Sequence, residues 1–257
     1  MKQQLGLVLL FARQELIDRY RDNLLGVAWL VLQPLIYILI FTLIFSDIMK
    51  NRLADFDQPY AYSIYLVSGL LAWMMVNNTI TRLSSIYQDK STLIKKVPIS
   101  LSLMPLYIPL VELVVYLIGM LLFAIVLILI GYSFDYYWLW LPVLFLLNGI
   151  FAYAIGLFLA LLSPFIPDIR TATPVLLQLF FWMTPIIYLP TLIPESFQWL
   201  IAINPFAWLV SNLQNIIFFH ASPKLSYLFL LIIVSGILLG LCRWLQIRLE
   251  RDIRDLI

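Results

Sequence analysis

Charged residues are scarce in this chain, and their scarcity sets the class of protein. Lys, Arg, Asp and Glu make up 12% of the 257 residues, hydrophobic residues make up 63%, and the mean hydropathy is +0.97. Too few polar side chains remain to cover the surface of a soluble protein of this length. The composition therefore predicts an integral membrane protein.

Cysteine and histidine each occur once, which removes several kinds of site. Cys242 leaves no partner for an intrachain disulfide and no cysteine cluster for a metal. His220 leaves no second histidine for a metal site or a nucleophilic triad, so we expect it to be solvated or interfacial and expect no metal. The chain also lacks G-x-x-x-x-G-K-S/T, which excludes ATP binding through a P-loop in this chain.

Long uncharged runs dominate the sequence. Residues 24–45 carry no charge, and about 22 residues at ~1.5 Å rise give roughly 33 Å, enough to cross a bilayer. Pro34 interrupts this run, which a membrane helix tolerates when neighbouring groups satisfy the freed carbonyl. The pattern predicts an all-α integral membrane protein, a single domain over residues 1–257, with six transmembrane helices at about 24–45, 62–80, 106–130, 138–162, 172–189 and 225–245.

The N-terminal stretch, residues 1–22, predicts an amphipathic helix lying in the membrane interface. Its short apolar patch is followed at once by charged residues and lacks a small-residue cleavage site, so we expect no cleaved signal peptide. The predicted apolar face of this helix consists of Leu5, Leu9, Ala12 and Leu16.

Two further segments interrupt the series of spans. Residues 81–100 are polar and basic, and a short helix over Ser91–Lys96 is predicted to end before Pro98. Residues 190–224 consist of apolar pieces broken by prolines, each too short to cross the membrane, and predict interfacial or re-entrant helices before the last span. No internal repeat is present, which disfavours an inverted-repeat secondary transporter.

The basic residues predict the orientation. With the N-terminus inside, thirteen of the sixteen Lys and Arg residues lie on the inner side, and only Lys50, Arg52 and Lys224 lie outside. This is a strong positive-inside bias, which places both termini in the cytoplasm and residues 190–224 on the outer face. No basic patch exists beyond this bias, so we expect no nucleic-acid partner.

Glu112 is the one carboxylate well inside a predicted span. An ionised group near the bilayer interior is costly unless it is paired inside the protein or neutral. Two interpretations stay open, a structural hydrogen bond to a neighbouring helix and a role in a conduit or in coupling.

Five motifs resemble, in order and spacing, the membrane subunit of ABC-2 type exporters, closest to the O-antigen polysaccharide permeases of the Wzm type and more distantly to teichoic acid and capsule permeases. The likeness covers essentially the whole chain and is strengthened by residues 60–69 and 249–256. One departure is Pro167, which stands where the family usually has an arginine. The five motifs are residues 19–35, 91–98, 163–170, 182–188 and 203–210.

The resemblance implies a transport subunit, not an enzyme. It implies a homodimer that carries two copies of a separate ATPase subunit and moves a lipid-linked polysaccharide across the bacterial inner membrane, with ATP and Mg²⁺ bound by the ATPase and no cofactor bound by this chain. A short basic helix at the membrane edge suits such a protein contact, although a membrane-surface anchor is an alternative. The implied coupling residues are Lys90, Ser91, Leu93, Ile94, Lys95, Lys96 and Pro98.

The resemblance also implies contacts for the cargo. Arg19 and Arg21 are placed to bind a lipid head group, because arginine binds phosphate bidentately, although the positive-inside bias also explains them. Residues 190–224 would form an outer gate. Aromatic rings that would line a glycan conduit, or else pack against lipid, are Tyr62, Tyr65, Trp73, Phe180, Phe181 and Trp182.

Two alternatives remain open beside the polysaccharide exporter. One is an exporter of the same fold for a drug or haem. The other is a membrane enzyme acting on polyprenyl lipids, for which Glu112 and the inner arginines are the only candidate residues.

Overall fold

The structure, a computed structural model of one chain, describes residues 2–21, 23–49, 60–96 and 101–256. These ranges contain helices and no strand, which confirms the all-α prediction. Short 3-10 turns lie at Gly26–Ala28, Met104–Leu106, Tyr136–Trp140, Pro190–Leu192 and Glu195–Phe197. The α-helices are α1 (Lys2–Arg21), α2 (Trp29–Met49), α3 (Ala61–Asp89), α4 (Ser91–Lys96), α5 (Tyr107–Leu129), α6 (Leu141–Leu162), α7 (Asp168–Met183), α8 (Gln198–Ile203), α9 (Pro205–Ile217) and α10 (Leu225–Leu256).

Between four and six segments of the described chain can cross a membrane. The helical segments Ala61–Asp89, Met104–Leu129, Tyr136–Leu162 and Leu225–Leu256 are each long and apolar enough alone. Two bent pairs raise the number to six if each pair counts as one span: α1 with α2, bent by 99°, and α8 with α9, bent by 94°. An integral membrane protein is therefore confirmed, and the count of six spans stays a prediction.

The helix predicted over residues 172–189 differs from the one observed. α7 ends at Met183 and has 16 residues, fewer than the ~20 that a membrane span needs. The cause is local: Thr184 precedes Pro185, whose ring disfavours the helical conformation in the residue before it, and Thr184 is extended at φ −101° and ψ 133°. Pro185 therefore lies outside the helix, not within a span.

Helix α3 lies at the centre of the molecule. It contacts α2, α5, α6, α7 and α9, and most of its side chains are buried. The buried hydroxyls of Ser68, Thr79 and Ser84 donate to carbonyls of the same helix, for example by the 2.7 Å bond from Thr79 Oγ1 to the carbonyl of Met75. Gly156 of α6 allows a close approach to α3, because a Cβ atom there would lie 2.5 Å from Leu83 Cδ1.

Helix α3 also continues beyond the predicted boundary at residue 80. No Gly or Pro interrupts residues 81–89, and the buried face continues through Leu83, Ile86 and Tyr87. The first nine residues of the predicted coupling segment thus belong to a central helix. The prediction that a separate short helix spans Ser91–Lys96 is confirmed by α4.

The N-terminal helix α1 packs on α5 through a face that partly matches the predicted one, since Ala12 and Leu16 pack inward as predicted. Val8 and Ala12 are buried, whereas Leu9 is 57% exposed, and nothing is described for the side chain of Leu5. The rotation has a physical reason: the inward face also carries Glu15 and Arg19, which form ion pairs with other helices. The exposed leucines face outward, where a membrane interface can cover them.

The segment before the last helix is built from two short helices joined at a corner. Asn204 makes the corner: its Oδ1 accepts a 3.0 Å bond from the Phe206 backbone N–H and caps α9, in which Pro205 is the first residue. α9 is largely buried and contacts α3, whereas α8 has no buried side chain. A pair bent in this way fits either a broken span or a re-entrant loop, so the predicted re-entrant or interfacial helices stay a prediction.

Candidate functional site

Glu112 lies at the centre of an ion-pair network that joins three helices. Its side chain is 1% exposed, and its Oε1 accepts from Arg19 Nη1 of α1 at 2.9 Å and from Arg82 Nη1 of α3 at 2.6 Å. A buried carboxylate requires such partners, because an unpaired charge out of water costs several kcal/mol. The partners of Glu112 are thus two arginines on neighbouring helices, and the choice between a structural role and a role in coupling stays open.

The network continues from Arg82 through Glu15 of α1 to Lys90, the residue directly before α4. Arg82 Nη2 also donates to Glu15 Oε1, and the second oxygen of Glu15 lies 3.3 Å from Lys90 Nζ. Glu15 and Arg19 are four residues apart, so they share one face of α1. A continuous chain of charges therefore runs from Arg19 to Lys90, which is one of the residues predicted to contact the ATPase.

This network carries a net positive charge, with three cations and two carboxylates. The side chain of Arg19 on α1 is 26% exposed, and that of Arg82 on α3 is 22% exposed. One nitrogen of the Arg19 guanidinium contacts Glu112, and its other N–H groups bond to no acceptor among the described residues. An anion that approaches Arg19 would meet both a free hydrogen-bonding edge and an attractive field.

The two arginines predicted to bind a head group differ in position. Arg19 belongs to the network, whereas Arg21 is an exposed residue at the end of α1. Sequence reasoning did not identify Arg82 as a partner of Glu112, or Glu15 as a partner of Arg82. The four-residue spacing of Glu15 and Arg19 is a signal that local sequence contains, but the contact between Glu15 and Arg82 joins residues 67 positions apart and has no local signal.

The predicted coupling residues lie on a short, exposed helix. Ile94 of α4 is buried and anchors it, while Lys95 and Lys96 are exposed. The carbonyl of Lys90 accepts 3.0 Å bonds from the N–H groups of Leu93 and Ile94, so Lys90 begins the first turn of α4. Ser91 is the first residue of α4, and Pro98 lies outside the described residues.

The motif at residues 163–170 contacts the C-terminal end of α3, directly before α4. Gln88 Nε2 donates a 2.9 Å bond to the carbonyl of Ser163, and Arg170 of α7 lies 3.3 Å from Asp89. Asp89 also accepts a 2.6 Å bond from Ser85. Contacts from α6 and α7 therefore hold the end of α3 directly before α4.

The six rings predicted to line a conduit do not form one exposed surface in the single chain. Tyr62, Tyr65 and Trp73 are buried in α3. The Tyr65 hydroxyl donates to the carbonyls of Pro185 and Tyr188 at 2.9 and 3.0 Å. Phe180 and Phe181 pack in the core beside Trp73 and Phe206, and only Trp182, at 59%, is exposed. The conduit role of the six rings stays a prediction.

A cavity that sequence reasoning missed lies between α9 and the 3-10 turn at Pro190–Leu192. Its volume is about 330 Å³. Its lining combines hydrogen-bonding groups with one aromatic ring and one cation, a mixture suited to a hydroxyl-rich ligand. The lining includes Thr191, Ser211, Gln214, Asn215, Phe219 and Lys224.

The single histidine pairs with an acid in the loop region that follows α5. His220 Nδ1 lies 2.6 Å from Asp135 Oδ2, and its ring stacks on Tyr132 at 5.2 Å. Burial raises the pKa of Tyr132 to about 12. His220 is partly exposed, and among the described residues no group of three His, Cys, Asp or Glu could hold a metal ion.

Comparison with known proteins identifies the family. Residues 6–218 match the family described as ABC-2 type transporter. The chain belongs to the ABC-2 type transporter family. This ABC-2 permease is thus a multi-pass membrane subunit of a transporter, and the family implies a separate ATPase partner.

Three curated proteins resemble this ABC-2 permease over nearly their whole length. Two are named O-antigen export system permease protein RfbA in Klebsiella pneumoniae; each is 26% identical, and the match covers 93% of this chain and 91% of the relative. A protein of the same name in Myxococcus xanthus is 28% identical, with 92% of this chain and 90% of the relative covered.

Proposed function

We propose that this ABC-2 permease moves lipid-linked polysaccharide of the O-antigen type from the cytoplasmic to the outer side of the bacterial inner membrane. The observation that supports this cargo most directly is the shared name of the three relatives, each an O-antigen export permease matched along nine tenths of its length. Two copies of the chain and two ATPase subunits make up the transporter. The ATPase subunits bind ATP and Mg²⁺, and this chain binds no cofactor.

The positive-inside bias supports an orientation with both termini in the cytoplasm. In that orientation α1, α4 and the ion-pair network lie on the side from which a cytoplasmic ATPase and a newly made lipid-linked glycan approach. Lys95 and Lys96 are exposed on α4, as a docking contact requires. Arg19 and Arg21 are the arginines that meet the phosphate groups of the lipid carrier, and the loops around α8 and α9 lie at the outer exit.

The network argues against the polyprenyl-lipid enzyme. Glu112 is buried and shared by two arginines, and a carboxylate held in this way is poorly placed to exchange protons with a bound lipid. The candidate acid of that alternative is instead a structural member of the permease.

The test is to delete the gene in its native strain and follow the glycan. Accumulation of finished polymer on its lipid carrier at the cytoplasmic face, with loss of surface polysaccharide, is expected. The intact gene on a plasmid should restore the surface polymer. Normal surface polysaccharide in the deletion strain would overturn the glycan assignment and leave an exporter of another cargo.

The stoichiometry has its own measurement. The mass of the complex purified with its ATPase should correspond to two copies of each subunit. A complex with one copy of this chain would contradict the proposed homodimer.

A further inference from the structure

The ion-pair network connects the two regions that the proposed function assigns to the cargo and to the ATPase. One end is Arg19, whose side chain is partly exposed and uses one nitrogen, Nη1, in its bond to Glu112. The other end is Lys90, whose carbonyl begins the first turn of α4. Every link between them is a contact between charged side chains, through Glu112, Arg82 and Glu15.

The central link is one that an anion can alter. Arg19 and Arg82 share the single oxygen Oε1 of Glu112, at 2.9 and 2.6 Å. A phosphate bound to Arg19 competes with Glu112 for the same guanidinium charge. When Arg19 turns toward the phosphate, Glu112 keeps Arg82 as its remaining cation. Because the Glu112 side chain is 1% exposed and has lost the positive charge of Arg19, its attraction to the positive charge of Arg82 becomes more important for its stability.

The change at Arg82 reaches α4 through Glu15. Arg82 now bridges Glu112 and Glu15, and a stronger pull toward Glu112 weakens its contact with Glu15. Glu15 then retains Lys90 as its cation, in a contact that is 3.3 Å long and partly exposed. Since Lys90 begins the first turn of α4, a shift of this pair repositions the residues predicted to seat on the ATPase.

We propose that Glu112 and Glu15 are positioning residues through which a lipid phosphate bound at Arg19 is signalled to the ATPase contact on α4. This inference rests on the proposed function, since it takes the lipid phosphate to be part of the cargo. Linkage requires the reverse effect as well: docking of the ATPase changes the affinity of Arg19 for the phosphate by the same factor.

The test measures ATP hydrolysis by the purified permease–ATPase complex in phosphatidylcholine vesicles that contain increasing amounts of polyprenyl phosphate. For the natural chain we expect the rate to rise with the lipid and to saturate. Glu15→Gln should lower the maximal stimulation about five-fold or more, because it breaks the relay between Arg19 and α4. Arg19→Ala should instead raise the half-maximal concentration.

Asp18→Asn is the matched control, because Asp18 is an acid on the same helix whose partner within the described part of the chain is Gln14 of that helix. It should behave as the natural chain does. Glu15→Asp keeps the charge and should recover part of the stimulation, which a loss caused by misfolding would not show. Should Glu15→Gln fail to assemble, Glu15→Asp provides the measurement, with a maximal stimulation expected below that of the natural chain.

Two results would overturn the inference. One is full stimulation in Glu15→Gln, or in Glu15→Asp where only that variant assembles. The other is a natural complex whose ATPase rate does not respond to polyprenyl phosphate. Neither result decides the export proposal, which is tested separately by the fate of the glycan in the deletion strain.

Discussion

Replacing Glu112 by Gln tests whether the buried network holds the three helices together. The variant keeps the shape of the side chain and removes the charge that Arg19 and Arg82 share. Removing one partner of a buried pair costs roughly 3–5 kcal/mol because the other charge is left buried. Both arginines are about one quarter exposed, so water compensates in part, and we expect a loss of about 2–3 kcal/mol.

The assay is the midpoint of thermal unfolding in detergent, followed by size-exclusion chromatography with fluorescence detection. At about 2–4 °C per kcal/mol for a chain of this size, the midpoint should fall by roughly 4–12 °C. Glu250→Gln is the control, because Glu250 is exposed and pairs with Arg254 one turn away on the same helix. Its loss should stay below about 0.5 kcal/mol.

The double variant Glu112→Gln with Arg82→Gln supplies the internal check. If the cost of Glu112→Gln comes from stranding Arg82, the two losses should be less than additive. Additive losses, or a Glu112→Gln midpoint equal to that of the natural chain, would refute the view that these charges stabilise one another.

Three further predictions follow from exposed charges and close packing. Reversing Lys95 and Lys96 to Glu should weaken co-purification of the ATPase about tenfold without changing the unfolding midpoint, and normal co-purification would remove α4 from the contact. Gly156→Ala should destabilise the chain by about 1–3 kcal/mol in the same thermal assay, because the new Cβ would lie 2.5 Å from a leucine of α3. Gly236→Ala, which meets open space, should be neutral or slightly stabilising, and equal losses at both glycines would contradict this packing. Arg21→Ala should slow export measured with labelled lipid-linked glycan while the midpoint stays the same, and unchanged export would leave only a topological role for this exposed residue.

Local signals were sufficient for several elements. The prediction of α4 over Ser91–Lys96 needed only a polar approach, a short amphipathic stretch and a following proline. The end of α7 was equally local, since Pro185 acts on the residue before it, but the apolar run across Pro185 outweighed that signal and predicted too long a helix.

Other features depended on partners far along the chain. Residues 81–89 have the polarity of a loop, yet they continue α3 because Arg82 finds its acids on α1 and α5. The inward face of α1 was predicted from apolar residues alone, whereas Glu15 and Arg19 share that face and pair with other helices. A hydrophobic pattern predicts that Glu15 and Arg19 face solvent, whereas their ion pairs with other helices place them on the inward face.

The sequence by itself determined that this protein is an integral membrane protein, that it is helical and that it resembles ABC-2 permeases. Transfer of apolar side chains into lipid is nearly additive along the chain, so composition and run length suffice for that conclusion. The tertiary structure decided which charges meet, which rings are buried and where α3 ends. These outcomes depend on how helices distant in sequence pack against one another. Ion pairs form over a few ångströms in space, and the local periodicity of the sequence does not indicate which residues will form them.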